Sequence, residues 1–580
     1  MVRRPAGLFW LGVLLVLVGG LIASLTQTAG RTIAVRDVRF MGANGNQLSA
    51  LLYIPRGVTA AKPAPGILAV HGYINSREVQ TDFAIEFARR GYVVLSMDQA
   101  GHGYSDAPAF ANGFGGPAGL AYLRSLDVVD KNNIGLEGHS MGGWTILNAA
   151  AAFPDGYRSM VLEGSSTGSG FAPEGTPTAP RNLGLVYSRY DEFSVLMWNV
   201  ARAQDVTGSD KLKKVFGTTE TITPGRMYGD VAAGTARMLF TPATTHPGDH
   251  LSRAAIGDAV RWFQQTLTGG TPLPASNQIW PWKEFGTTLG WIGFVLLVLG
   301  TGGLLLNTRT FASLNRVPGE PRGMVGGAWW VGALLMLAIP VFTYFPFFHL
   351  ADRIIKPGWL WPQTITNEIM LWAVLNAVIS LILFLVWRAT SRARPSGAAD
   401  DGRSGPEDRT GPEVGKAALL ALASVGVGYL SLALTDFFFK VDYRFWFVGL
   451  KLMNTGQFRM FLSYLIPFTL YTLMAATVLH SQMRRSRRDN MLVNVALMAG
   501  GFLLFLLVEY GTLFARGALF SAGEPLNVIV AIQFLPILAL LGIFMSYFAR
   551  HTGRIYAGAF VASLFVTWYI VAGQATQVPL

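Results

Sequence analysis

Cysteine is absent from this chain of 580 residues. That excludes disulfides, thiol catalysis and any cysteine-based metal site, and it is compatible with a place outside the cytoplasm. Charge is scarce as well. Only 14% of residues are charged while 51% are hydrophobic, a balance that excludes an ordinary soluble enzyme and points to membrane-embedded segments. No His/Asp/Glu cluster has clean metal-ligand spacing, so neither a catalytic metal nor a cofactor is expected. Also missing are the inverted repeats and broken-helix pairs that announce a transporter.

What is present divides the chain in two. Leu8 to Leu25 form an apolar run behind Arg3 and Arg4. A cleaved signal peptide resembles this, but the run is about 18 residues long and no Ala-x-Ala site follows, which favours a retained anchor over residues 1–28. Residues 32–267 contain no spanning run. After a linker over 268–286, which includes Gly269-Gly270-Thr271-Pro272, residues 287–580 read as a membrane domain of about eight spans. These fall near 287–306, 325–347, 369–387, 417–435, 461–480, 491–511, 526–548 and 556–574.

Basic clusters give the orientation. Arg309, Arg316 and Arg322, then Arg388, Arg392, Arg394 and Arg403, then Arg484, Arg485, Arg487 and Arg488, then Arg550 and Arg554, all share a side with Arg3 and Arg4 if the chain alternates. The positive-inside rule places that side, with the N-terminus, in the cytoplasm of a plasma membrane and residues 32–267 outside. The net charge of +12 is thereby explained by topology beside membrane lipids, without nucleic acid. The stretch 394–415, rich in Gly, Pro, Asp, Arg and Ser, reads as a disordered cytoplasmic loop. Trp280, Trp282, Trp359 and Trp361 suit an interfacial aromatic belt, and Phe437 to Met453 an aromatic segment lying flat at the interface.

Within 32–267, strands and helices alternate in the α/β manner. Strands are expected as a pair in Thr32 to Tyr53, then at Gly66 to Val70, Tyr92 to Met97, Asn133 to Leu136, Ser159 to Glu163, Leu183 to Tyr187 and Ala236 to Thr241. The most informative segment is Ile134 to Gly143. A short apolar strand breaks into Gly138-His139-Ser140-Met141-Gly142 and runs into a helix from Trp144 to Ala152. This is G-x-S-x-G in the strand–turn–helix setting of a nucleophile elbow, where small flanking residues allow a sharp turn and Ser140 stands at a helix N-terminus.

Three motifs, His71-Gly72, Asp98-Gln99-Ala100-Gly101-His102-Gly103-Tyr104-Ser105 and Gly138-His139-Ser140-Met141-Gly142-Gly143, resemble in order and spacing those of the α/β-hydrolase superfamily. Within it they are closest in kind to the serine aminopeptidase and monoacylglycerol-lipase-like group. The resemblance covers roughly residues 32–267 and implies an α/β-hydrolase fold, a mostly parallel sheet flanked by helices, beside an all-α polytopic domain that resembles no family. It implies Ser140 as nucleophile, with the backbone N–H groups of Tyr73 and Met141 as the oxyanion hole. Asp191 occupies the place of the acid, with Glu192 adjacent as a fallback. His246 or His250 is the base, His246 fitting the lag after the last strand better. His71 and His102 brace the site.

Phe193 to Thr235 is a long insertion that, with the rim of the membrane domain, would wall an acyl site. The expectation is a membrane-anchored serine hydrolase acting on a lipid or other acyl ester at the outer face through an acyl-enzyme; a peptidase or an acyltransferase would use the same three residues. The alternative from another class is a transport or sensing protein whose outer domain binds a ligand without turning it over, with intramembrane Glu509 as its functional charge. Oligomeric state is not legible.

Overall fold

The computed structural model describes residues 3–320, 323–392, 410–486 and 490–579. Its α/β domain is built on eight strands in the order β1-β2-β4-β3-β5-β6-β7-β8. These are β1 (Ile33–Met41), β2 (Gln47–Pro55), β3 (Ala64–Val70), β4 (Val93–Met97), β5 (Val129–His139), β6 (Ser159–Glu163), β7 (Leu183–Val186) and β8 (Arg237–Phe240). The first two pair antiparallel with each other and β2 with β4, while β4-β3-β5-β6-β7-β8 are parallel. Parallel strands are buried on both faces, which is why β3 and, but for Ser96, β4 are apolar without alternation. Successive side chains of β3 serve opposite layers. Leu68 and Val70 pack with helices Gly116–Ser125 and Met141–Ala152, and Ile67 and Ala69 with Thr81–Arg89 and Arg253–Thr266. Ser252 caps the last of these, its hydroxyl accepting the N–H of Ala255 at 3.1 Å.

The second half is helical. Eight helices of the described residues are long and apolar enough to cross a membrane, nine if the bent pair Gly326–Phe342 and Tyr344–Ile354 is one span. The N-terminal helix Arg3–Gln27 lies against Trp280–Leu305 through glycines: a Cβ on Gly19 would come within 2.4 Å of the Gly286 carbonyl, so only glycine allows the helices this close.

Several expectations are corrected. Helix Trp280–Leu305 begins inside the stretch read as linker. The span expected over 325–347 is bent by 44° between Phe342 and Tyr344, so a broken pair is present after all. Pro340 lacks the N–H that helix pairing needs there, and the Thr343 hydroxyl donates to the Ile339 carbonyl at 2.7 Å. Trp280 belongs to no interfacial belt. It is 4% exposed in the α/β core, its indole donating to Gln278, whereas Trp282 and Trp359 are exposed. Helix Thr410–Phe439 begins within the stretch read as a disordered loop; the rest of that loop and Arg322, Arg394, Arg403, Arg487 and Arg488 lie outside the described residues. Phe437 to Met453 does not lie flat either. It folds into a small hairpin, Tyr443–Phe445 with Val448–Leu450, that reaches the α/β domain.

Candidate active site

Strand β5 ends in the turn the sequence announces. Ser140 adopts φ 53°, ψ −122°, a strained conformation for a residue with a side chain, and helix Met141–Ala152 starts at once, three residues before the expected Trp144. The turn closes only because both flanking residues are glycine: a Cβ on Gly138 would lie 2.4 Å from the Gly142 carbonyl oxygen, and one on Gly142 2.1 Å from that of Val70. The backbone N–H of Ser140 donates to the Glu163 carbonyl at 2.8 Å. Its hydroxyl makes no helix cap and opens into a cavity of about 210 Å³.

Beyond their ends, β7 and β8 stay in register. Tyr190 donates its N–H to the Thr244 carbonyl at 3.0 Å and bridges Thr245, which brings the two following loops side by side. Asp191 and His246 meet there, His246 Nδ1 2.8 Å from Asp191 Oδ2, while Asp191 Oδ1 accepts the N–H of Phe193 at 2.8 Å. Burial disfavours the imidazolium, but the Asp191 carboxylate and its hydrogen bond outweigh this and hold His246 above its ordinary value. His250 stands apart from Asp191. Neither of its ring nitrogens has a hydrogen-bond partner among the described residues, it stacks on His139 at 4.3 Å between centroids, and burial pushes it down to about 3. Of the two candidate histidines, the structure therefore brings His246 to the acid.

Tyr73 and Met141 also line the cavity. Neither backbone N–H donates to an acceptor among the described residues, so both are free for a ligand oxygen. His71 Nδ1 bonds the Gly72 carbonyl at 2.7 Å while Nε2 accepts the N–H of Gln99 at 3.1 Å, and His102 Nδ1 bonds the Ala100 carbonyl. Burial pushes both down to about 3, leaving them neutral braces of their loops. No group of three or more metal-ligating side chains is assembled among the described residues.

The rest of the cavity is apolar and comes from both halves. Phe110, Trp144, Phe193, Leu196 and Met197 belong to the α/β domain, and Phe447, Leu526 and Ile529 to the helical half. The insertion after Asp191 and the helical rim thus meet over Ser140. Polar contacts fix this arrangement. Trp446 of the hairpin donates its indole N–H to the Pro247 carbonyl at 2.6 Å, Gln457 its amide to the Gly103 carbonyl at 3.1 Å, and Gln577 its amide to the Tyr73 hydroxyl at 3.3 Å. Thr576 exchanges two backbone hydrogen bonds with the loop after β4, to Gly101 and from Ala109, both 2.8 Å. Lys451 and Lys283 lie 3.8 Å from Glu78 and Asp82. Glu509 is buried, its carboxylate accepting the N–H of Ser521 at 3.0 Å.

Sequence reasoning missed a second layer beneath the elbow. Glu137 and Glu163 are fully buried side by side, Glu137 also bonded to Gln80; burial pushes Glu137 up to about 8 and Glu163 well up. Asp249, bonded to Ser188, is likewise pushed well up by burial. Burial thus disfavours charge on all three of these carboxyls. Glu137, three residues before Ser140 and directly after the apolar Ile134-Gly135-Leu136, was the one signal available.

Residues 65–189 match the family described as alpha/beta hydrolase fold. Over 130 residues the chain is 34% identical to the quorum-quenching protein AidA of Acinetobacter baumannii (strain MDR-ZJ06), a stretch covering 20% of this chain and 39% of AidA. An uncharacterized protein of Mycobacterium tuberculosis (strain ATCC 25618 / H37Rv) is 30% identical over 115 residues, 18% of this chain and 31% of that protein. The chain thus spans well under half the length of these curated relatives. Among solved structures, the Pyrococcus furiosus esterase Pf2001 aligns with 42% of this chain and 96% of its own at 16% identity and a TM-score of 0.31. Sheet, turn and family match agree: residues 65–189 match the alpha/beta hydrolase fold family, the domain around them has that fold, and the chain carries it beside a bundle of long apolar helices.

Proposed function

We propose that this protein is a membrane-anchored serine hydrolase that cleaves a lipid or other acyl ester at the outer face of the membrane. The family match supports a hydrolase. The observation that carries the finer reading is the 2.8 Å contact between His246 and Asp191 beside a cavity that Ser140 also lines. In this reading His246 Nε2 takes the proton of Ser140 as Oγ attacks the ester carbon. The N–H groups of Tyr73 and Met141 receive the oxyanion, and His246 returns the proton to the departing alcohol. Water then repeats the sequence on the acyl-enzyme. Asp191 holds the ring and stabilises the imidazolium. The apolar wall shared by both halves suits an acyl chain, whose burial contributes about 0.8 kcal/mol per methylene.

Detergent-purified protein is expected to react with a fluorophosphonate probe, and Ser140→Ala to lose the label entirely while eluting as an intact species. A folded wild type that takes no label would remove the serine-hydrolase reading. The outer location has its own check, for which a chain without cysteine is a ready background. A cysteine at Asp155, whose side chain is 96% exposed, should react with a membrane-impermeant maleimide on intact cells. One at Arg309 should react only after permeabilisation; the reverse pattern would invert the topology. The transport alternative has a cavity of about 560 Å³ between helices Gly326–Phe342 and Thr364–Arg392, but no charged side chain among the described residues lines it.

A further inference from the structure

The proposed chemistry uses Asp191 and leaves Glu192 without a part, although it is buried beside the pair, 8% exposed. Its two oxygens reach in different directions. Oε2 accepts the backbone N–H of His246 at 2.7 Å, and Oε1 accepts the phenol of Tyr510, on helix Met491–Arg516 of the helical half, at 2.9 Å. We propose that Glu192 is a positioning residue through which Tyr510 of the helical half fixes the place and sets the basicity of His246. This rests on the reading of His246 as the base.

Position follows from main-chain anchoring. The N–H of His246 is held by Glu192 and its carbonyl by His139 Nε2 at 2.9 Å, so the backbone from which the imidazole projects is tied on both sides. Without Glu192 the first tie is lost, and the buried N–H has no replacement acceptor. Glu192 is itself tied from outside the α/β domain, because the Tyr510 ring sits in the cluster that carries Tyr190 of the acid loop, where Tyr190 meets Phe514 at 5.1 Å. The fallback acid of the sequence thus has a different place in the structure: it bonds the main chain of His246, not the ring.

Basicity follows from charge. The groups facing His246 are Asp191 and Glu192 from the acid loop, Asp249 and His250 from the turn that follows it, and His139 from β5. Burial pushes Asp249 well up and His139 well down, and the carboxyls that favour the imidazolium are Asp191 first, then Glu192, then Asp249. Burial, with Asp191 alongside, pushes Glu192 up to about 7, against the pull of His246 and the Tyr510 hydrogen bond. Its charge therefore changes in the range where His246 must lose its proton to act. Tyr510 donates a stronger hydrogen bond to the carboxylate than to the neutral acid, so it keeps Glu192 ionised to lower pH.

The sign is definite. The base works as neutral imidazole, so the rate falls as pH drops through the pKa of His246. A negative Glu192 raises that pKa, and removing the charge moves the acid limb to lower pH. The test is the second-order rate of fluorophosphonate labelling from about pH 5 to 9, with full-length wild type, Glu192→Gln, Glu192→Ala and Tyr510→Phe. Glu192→Gln keeps an acceptor for His246 N–H and presents its amide N–H to the Tyr510 oxygen. Its plateau is expected within about threefold of wild type, with the acid limb lower by about one pH unit. Tyr510→Phe should move the limb the same way by less. Glu192→Ala frees the loop and should lower the plateau by about 10- to 100-fold.

A purely structural role would slow labelling without moving the limb. A limb unmoved in both Glu192→Gln and Tyr510→Phe, with wild type labelled, overturns this proposal and leaves the serine-hydrolase reading standing. A wild type that takes no label overturns both. The two near-isosteric variants carry the decision if Glu192→Ala does not fold.

Discussion

His246→Ala is expected to lower ester turnover by about 10⁶-fold, some 8 kcal/mol of transition-state stabilisation, while the protein stays folded. The fold survives because the residue is held by its main chain, to Glu192 and His139, and only the imidazole is removed. A serine hydroxyl alone is a weak nucleophile, so most of the rate goes with the base, and what remains comes from the free N–H groups of Tyr73 and Met141. Asp191→Asn should cost about 10⁴-fold, because the amide still accepts the Phe193 N–H at 2.8 Å but no longer fixes the ring tautomer or stabilises its charge. His250→Ala should cost far less than either, since His250 has no contact with Asp191. Turnover of a short-chain chromogenic ester by each variant makes the comparison. Equal losses at His246 and His250 would overturn the assignment of the base.

Gly164→Ala is the second large effect and replaces none of the proposed catalytic residues. Gly164 follows β6 at φ +51°, and a Cβ there would lie 2.8 Å from His246 Nδ1 and 3.2 Å from Asp191 Oδ2. A single methyl would press against both partners of the hydrogen bond. Turnover is expected to fall by about 10²- to 10⁴-fold, as displacement of a base by an ångström does. The left-handed backbone adds a stability loss of about 1–3 kcal/mol, read as a lower midpoint of thermal unfolding. Ester hydrolysis at the wild-type rate in Gly164→Ala would mean that the Asp191–His246 pair is not the one that works.

The sequence carried the α/β domain because its signals are local. Glycines flank Ser140, apolar strands are bounded by turns, and Ser252 precedes an amphipathic helix; each is read within a dozen residues. The same locality explains what it hid. Nothing near Glu192 announces Tyr510, 318 residues on, and nothing near Pro247 announces Trp446. The aromatic run 437–453 has the composition of an interfacial segment, and hydropathy does not distinguish a membrane surface from a protein surface. Trp280 failed for the same reason, since an indole suits the edge of a bilayer and the α/β core equally well. At Pro340 the apolar average stayed high while the backbone lost a donor, so the bend lay below what composition registers.

The pairing of Thr576 with Gly101 and Ala109 has a consequence in time. The loop that it clasps is synthesised 475 residues earlier, a lag on the order of tens of seconds at ordinary rates of translation. The sheet and its elbow have all their strands by residue 240 and are free to fold in that interval. The loops around the cavity are not: Trp446, Tyr510, Thr576 and Gln577 reach them one after another as the helical half is made. A nascent chain therefore carries an assembled sheet with an unclasped site, and full catalytic geometry arrives only with the last helix, after the bundle itself is complete. Assembly of the helical half thus acts as the maturation step of the hydrolase domain.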